Sequence, residues 1–226
     1  MDLGSTAAGI GALADDTRRA LYEYVAAQSA PVGREQAAEA VGVPLHKATF
    51  HLDRLVDEGL LVVEFRRLSG RTGPGAGRPS KLYQRSSREF AVSLPPRRYD
   101  LVGGILAAAV TRAAAGEPLE DALAGAAHDE GVVVAASAGP ARDGNGSLEG
   151  LADVLATQGF EPQLDDDVVV LANCPFDALA DRHRRLVCGL NVSYVQGVAD
   201  GLGCRGAEAR LEPHAGRCCV TVHASE

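Results

Sequence analysis

All five cysteines of the 226-residue chain, Cys174, Cys188, Cys204, Cys218 and Cys219, fall in its last 53 residues. Thiols gathered in one stretch suit metal ligation, redox exchange or nucleophilic attack. Spacing narrows the choice. Structural zinc sites draw on C-x2-4-C pairs, because one knuckle then presents two thiolates to one tetrahedron. Here 13 residues separate Cys174 from Cys188, 15 separate Cys188 from Cys204, and 13 or 14 precede Cys218 or Cys219. Single thiolates from separate elements suit an iron–sulfur cluster, which is wider than one ion and spreads its ligands. Buried, inert thiols are the competing reading, since free Cys is among the most buried residue types. Cys218 and Cys219 read as the start of a strand, where neighbours point to opposite faces. His183 lies between Cys174 and Cys188 and reads as a surface residue or as a donor behind a ligand. A thiol-dependent enzyme pairing a cysteine with His183 would lack both an orienting third group and a C-x-x-C motif.

Charge marks a second stretch. The net charge of −8 divides unevenly: residues 1–99 hold 14 Lys and Arg against 11 Asp and Glu, and residues 100–226 hold 8 against 19. Within residues 60–98 the count is 9 against 2. A basic patch in an acidic chain suits a polyanion, and a solvated linker is the plainer alternative. Gly73, Gly75 and Gly77 do not make a nucleotide loop, because Arg78-Pro79 leads into a strand and not into a helix N-terminus.

The elements that must position these residues follow from periodicity. Apolar positions predict a helix over 10–28, a short one over 34–40 closed by Gly42, and a third over 45–58 after Gly42-Val43-Pro44. The third buries Leu45, Ala48, Leu52, Leu55 and Val56 and turns out His46, Lys47, Thr49, Phe50, Asp53 and Arg54. Two helices joined by a tight turn let the second enter the DNA major groove. β-Rich runs at 60–65 and 80–83 flank a glycine-rich basic loop, which reads as a wing. Lys47, Thr49, His51 and Arg54, with His46 and Phe50 beside them, are expected at the groove. Arg67, Arg71 and Arg78 are expected at the backbone, and Lys81 at the wing or its phosphate contacts.

Beyond Pro95-Pro96, residues 99–115 predict a helix apolar nearly all round, suited to a dimer interface or to a core. Helices over 118–130 and 148–158, a hairpin at 160–171, helices over 177–187 and 190–201, and strands over 207–211 and 218–222 follow. The acidic turn Asp165-Asp166-Asp167 reads as solvated hairpin-tip residues. The expected class is α+β, with a winged helix-turn-helix at 1–95, linker and dimerisation helices at 96–146, and a mixed α/β sensor domain at 147–226. With 46% apolar and 23% charged residues the composition excludes disordered, collagen-like and disulfide-scaffold classes. The longest apolar run, residues 101–110, falls short of the roughly 18 residues of a membrane span, and no basic-then-apolar leader is read at the N-terminus. A cytoplasmic protein without membrane contact is expected, so a disulfide framework is disfavoured.

Two resemblances sharpen this. Leu13-Ala14-Asp15-Asp16-Thr17-Arg18-Arg19, the run Ala48 to Leu61 and Gly77-Arg78-Pro79-Ser80-Lys81-Leu82-Tyr83 resemble bacterial ArsR-type winged-helix regulators over about the first 85 residues. That implies binding of a double-stranded DNA operator as a homodimer. Asn173-Cys174-Pro175-Phe176-Asp177-Ala178-Leu179-Ala180 with His183, Val187-Cys188, Gly201-Leu202-Gly203, Ala209-Arg210-Leu211-Glu212-Pro213 and Gly216-Arg217-Cys218-Cys219 resemble the cluster-binding half of SufR-type iron–sulfur regulators. The resemblance implies a repressor whose operator affinity follows a 2Fe-2S or 4Fe-4S cluster, with Cys174 and Cys188 as ligands. The spacings depart from the family's by a residue or two in the first two gaps. The third matches only with Cys219, so the choice between Cys218 and Cys219 stays open and Cys204 transfers least well. Zinc or another thiophilic metal is the alternative cofactor.

Overall fold

In the computed structural model, which describes residues 3–67, 79–139 and 146–224, the chain forms two units, Met1–Val92 and Ser93–Glu226. The first holds α1 (Leu3–Ala12), α2 (Asp16–Ala26), β1 (Val32–Gly33), α3 (Arg34–Val41), α4 (Leu45–Asp57), β2 (Leu61–Arg66) and β3 (Ser80–Arg85). The single helix expected over 10–28 is two helices. The break comes at Asp15, whose side chain leaves the helical path to accept from the Arg18 backbone N–H at 2.8 Å and so caps α2. Gly42 ends α3 in the left-handed conformation (φ 71°), and the Val43 N–H returns to the Ala38 carbonyl at 3.0 Å, which turns the chain sharply into α4. Leu21, Val25, Ala37, Ala48, Leu52 and Leu55 of α2, α3 and α4 form one core with Leu61 of β2 and Tyr83 of β3.

β2 and β3 pair antiparallel from Leu61↔Arg85 to Arg66↔Ser80, and β1 adds a short third strand through Val32↔Tyr83. The connection carrying Arg71 and Arg78 lies outside the described residues.

The second unit holds α5 (Tyr99–Ala114), α6 (Leu119–Ala138), α7 (Leu148–Thr157), β4 (Pro162–Asp165), β5 (Val168–Leu171), α8 (Asp177–Gly201), β6 (Ala207–Leu211) and β7 (Val220–Ala224). Its four strands form an antiparallel sheet in the order β4-β5-β7-β6. α6 runs eight residues past its expected end and packs along α8 in the same direction. The approach is close because the two helices meet at glycines: a Cβ on Gly131 would strike the Tyr194 carbonyl, and one on Gly197 the His128 carbonyl. Phe160 stands edge-on to Phe176 (ring centroids 5.9 Å apart) and stacks on Tyr194 (6.2 Å), tying the sheet side of the core to α8.

Three expectations change here. The helices expected at 177–187 and 190–201 are one, α8, kinked at His183 (φ −135°, ψ 47°) and not at Gly189, so Cys188 sits inside a continuous helical stretch. β7 starts at Val220, which leaves Cys218 and Cys219 in the approach to the strand. α5 buries Leu101, Val102, Ile105 and Ala109 as a core helix would, yet leaves Val110 61% exposed on its outer side.

Candidate functional site

The second unit brings four of its five cysteines to one cavity of about 570 Å³, lined by Cys174, Cys188, Cys218 and Cys219 together with Arg97, Asp177, Asp181, Arg184, His214 and Arg217. Three stretches deliver the sulfurs. Cys174 lies in the turn between β5 and α8, where its carbonyl accepts from the Asp177 N–H at 3.2 Å. Cys188 faces inward from α8, past the kink. Cys218 and Cys219 come from the turn before β7: the Cys218 N–H reaches the Leu171 carbonyl at the end of β5 (2.9 Å), while the Cys219 carbonyl accepts from Glu212 (2.7 Å). Strand alternation was the reason to expect only one of the two at a site. It does not apply before Val220, and both thiols face the cavity.

The thiols influence one another electrostatically: Cys218 acts on Cys174, and Cys219 and Cys174 act on Cys188. The neighbouring Cys218 and partial burial push the Cys174 thiol above the ordinary thiol pKa. Cys218 moves the other way, because the nearby Cys174, the Val220 backbone and Asn191 Nδ2, which donates to its sulfur at 3.2 Å, together outweigh its burial. Burial and the proximity of Cys219 push Cys188 up to about 12. Among the described residues no three His, Cys, Asp or Glu side chains gather closely enough to hold a single metal ion.

Residues from afar hold this arrangement. Arg97 donates to the Asn173 side chain (2.6 Å) and to the Cys174 carbonyl (3.1 Å), and pairs with Asp177 at 3.3 Å. The buried Asn173 amide donates to the Pro96 carbonyl at 3.1 Å and to the Gly159 carbonyl at 2.5 Å. Arg97, Arg184 and Arg217 line the cavity alongside Asp177 and Asp181, and Arg97 pairs with Asp177. Sequence reasoning missed Arg97, Asn173 and Asn191. Arg97 stands 77 positions from Cys174 with no local pattern linking them, whereas an Asn on the inward side of a helix was a readable signal.

Cys204 is the correction. It sits just beyond the C-terminal end of α8, its thiol donating to the Ser147 carbonyl at 3.5 Å. Thirteen steps along α8 from Cys188 to Gly201 correspond to roughly 20 Å, and Cys204 does not line the cavity. It is the buried, inert thiol of the set. His183 is exposed at the kink and does not line the cavity.

The first unit presents α4 as its candidate nucleic-acid face. His46, Lys47, Phe50 and Arg54 are exposed along it, Phe50 at 68%. Thr49 is half-buried and its hydroxyl bonds back to the Leu45 carbonyl at 2.9 Å. Arg54 pairs with Glu58 at 2.5 Å. Leu45, expected in the core, is exposed in the first turn of the helix. His51, expected at the groove, is 7% exposed; it faces inward, 4.0 Å from the Asp15 carboxylate. The 3.6-residue period places it beside Ala48, Leu52 and Leu55. Lys81, expected among the phosphate contacts, is held by Asp53 at 2.5 Å, and the buried Tyr83 hydroxyl donates to the same oxygen at 2.8 Å. Partial burial opposes ionisation of Asp53, but the two donors outweigh it and hold its pKa below the ordinary carboxylate value. Lys81 and Tyr83 therefore clamp α4 to β3. Arg67 is exposed just beyond β2, while Arg71 and Arg78 lie outside the described residues.

Comparison with known proteins bears on this unit. Residues 13–64 match the model of a helix-turn-helix domain, a span running from the start of α2 into β2 and under a quarter of the chain. The chain is a mixed α and β protein with a helix-turn-helix domain in its N-terminal unit, the module of DNA-binding transcription regulators. No curated protein and no solved structure matches the chain. Among the described residues no helix is long and apolar enough to cross a membrane.

Proposed function

We propose that this protein is a homodimeric transcription repressor that binds double-stranded operator DNA through α4 and a β2–β3 wing, and whose operator affinity is set by an iron–sulfur cluster in the second unit. One observation carries the sensing half: Cys174, Cys188, Cys218 and Cys219, delivered by three separate stretches, line one cavity. The residues fit the group. Four thiolates around a cavity are the donor set of a polynuclear iron–sulfur centre. When bound, such a cluster supplies reversible one-electron chemistry and sensitivity to oxidants.

The chain's own residues do the rest. Asn191 orients the Cys218 sulfur, and Arg97 fixes the Cys174 turn. The four ligands bind the β5–α8 turn, α8 and the approach to β7 into one piece, so loss of ligation frees three stretches at once. If the tied and freed states present different dimer geometries, operator affinity must differ between them by linkage. Support for the dimer is the outer side of α5, along which Gly103, Gly104 and Val110 are exposed.

Iron and acid-labile sulfide quantified after anaerobic purification, with absorbance at about 400–450 nm, test the proposal on wild type and on Cys174→Ser. Iron and sulfide bound by wild type and lost from the variant are expected. Zinc in place of both overturns the cluster and leaves a thiophilic-metal regulator.

A further inference from the structure

The outer stripe of α4 is polar at both ends and aromatic in the middle. One helical turn separates Phe50 from His46 and Lys47 on one side and from Asp53 and Arg54 on the other, and its ring is 68% exposed. Exposure alone assigns nothing, because single apolar side chains are common on protein surfaces. The state of its neighbours does.

We propose that Phe50 is a sequence-reading residue of α4, and that it reads the C5-methyl group of a thymine in the major groove. The inference rests on the operator-binding reading above and deepens it by naming the base feature that one side chain selects.

Most polar groups around Phe50 are already engaged within the chain. Asp53 accepts from Lys81 at 2.5 Å and from Tyr83 at 2.8 Å. Arg54 pairs with Glu58 at 2.5 Å, so its guanidinium would bring a carboxylate with it to a base edge. The Thr49 hydroxyl donates to the Leu45 carbonyl at 2.9 Å, and His51 is buried. Asp57, exposed in the last turn, and Glu58, the C-cap, make the far end of the helix acidic and unsuited to phosphates. Contact therefore falls on the first turns, where a recognition helix meets base edges. His46 and Lys47 supply donors there, and Phe50 supplies hydrocarbon.

Every base pair shows hydrogen-bonding groups in the major groove, but the thymine methyl is the apolar feature that distinguishes one pair from the rest. A phenyl ring set against N7, O6 or an exocyclic amine would strip that group of water and return no hydrogen bond. Set against a methyl, it removes apolar surface from water on both partners. The ring is also held for this contact. It stands edge-on to the buried His51 ring, with centroids 5.3 Å apart, so less side-chain freedom remains to be lost on binding.

The test uses the full-length protein, purified without oxygen. Duplexes that it retains from a random-sequence pool give a consensus, and each thymine of that consensus is then replaced in turn by deoxyuridine. The replacement removes the C5-methyl and leaves every hydrogen-bonding group of the base in place. Affinities are compared at low salt, where phosphate contacts hold even a weakened variant on the duplex. At one thymine in each half-site, wild type should bind the deoxyuridine duplex about fourfold more weakly per methyl lost, as expected for one CH2-sized group uncovered. Phe50→Ala and Phe50→Gln, one removing the ring and the other replacing it with a polar helix former, should bind the thymine and deoxyuridine duplexes equally. Lys47→Ala should weaken both duplexes and keep their ratio. A consensus without thymine, deoxyuridine tolerated at every position, or a methyl preference that survives in both Phe50 variants overturns the inference and leaves α4 as an operator-binding helix. Retention of no preferred sequence removes the operator reading itself, and the inference with it.

Discussion

Asn191 donates from Nδ2 to the Cys218 sulfur at 3.2 Å, with both side chains buried and the Asn191 Oδ1 atom unpartnered. A buried amide left half-satisfied costs free energy, and what it secures here is a donor aimed at a sulfur. Such a donor stabilises the more negative state of the sulfur's surroundings. With a cluster bound, Asn191→Leu should therefore lower its midpoint potential relative to wild type, read by anaerobic redox titration. A purely structural role would move the melting temperature and leave the potential where it was.

Lys47 and His51 separate reading from folding on one helix. Lys47 is exposed on α4, so Lys47→Ala should weaken operator binding and reduce the slope of log affinity against log salt by about one unit, with the melting temperature unchanged. His51→Ala should instead lower the stability of the first unit by about 1–3 kcal/mol, because it opens space beside Leu52 and Leu55. Its salt slope should match wild type. Equal salt slopes for Lys47→Ala and wild type would remove α4 from the phosphate contacts.

Why Lys47 was legible and His51 was not comes down to what periodicity weighs. A histidine among His46, Lys47, Thr49 and Phe50 reads as polar, but its angular position belongs to the buried stripe. α3, α4, β2 and β3 were readable because apolar spacing, Gly42 and Pro44 all agree locally. The start of β7 was not: Cys218-Cys219-Val220-Thr221-Val222 is β-prone throughout, and only the bonds to Leu171 and Glu212, made by folding, hold the two cysteines out of the strand. The convergence of Cys174, Cys188 and Cys218 or Cys219 was legible as a count and a resemblance. The exclusion of Cys204 needed the length of α8, which the sequence reading cut at Gly189. Arg97 and Asn173 act through long-range bonds for which one sequence has no signal.

The α4–β3 clamp gives the first unit an acid-side dependence. Asp53 is held below its ordinary pKa in the folded chain, so its contribution to stability is complete above the unfolded value of about 4 and is lost as pH falls through the folded value. Denaturant melts of wild type and Asp53→Asn between about pH 5 and 2 should converge as pH falls. At neutral pH the variant should be less stable by about 0.2–1 kcal/mol, since Lys81 loses the counter-charge of a partly exposed pair while Asn still accepts from Tyr83. A constant gap across the range would show that ionised Asp53 does not hold the clamp.

Gly197 is where α8 presses on α6. An added methyl would meet the His128 carbonyl, which is backbone and cannot swing aside, so Gly197→Ala should destabilise the second unit by about 1–3 kcal/mol or more despite alanine's better helix propensity. Gly189 is the control on the same helix: a Cβ there meets nothing within 4 Å. Gly189→Ala should stabilise the unit by up to about 1 kcal/mol. Thermal melts of the two variants should move in opposite directions, and a shared direction would mean that the helices are not in close contact at Gly197.

The outer side of α5 is where the proposed dimer can be tested. Val110 is 61% exposed while Leu101, Val102, Ile105 and Ala109 on the same helix are buried, so a charge at Val110 disturbs little within one chain. In a monomer Val110→Glu should change stability by no more than about 0.5 kcal/mol. Within a symmetric interface the same change acts twice, placing a carboxylate from each protomer in apolar surroundings. Val110→Glu should then run as a monomer by light scattering and lose operator affinity, while circular dichroism retains the helical signal of wild type. A variant that stays dimeric and binds operator as before would place the protomer contact on another surface and leave α5 as a core helix with one wet side.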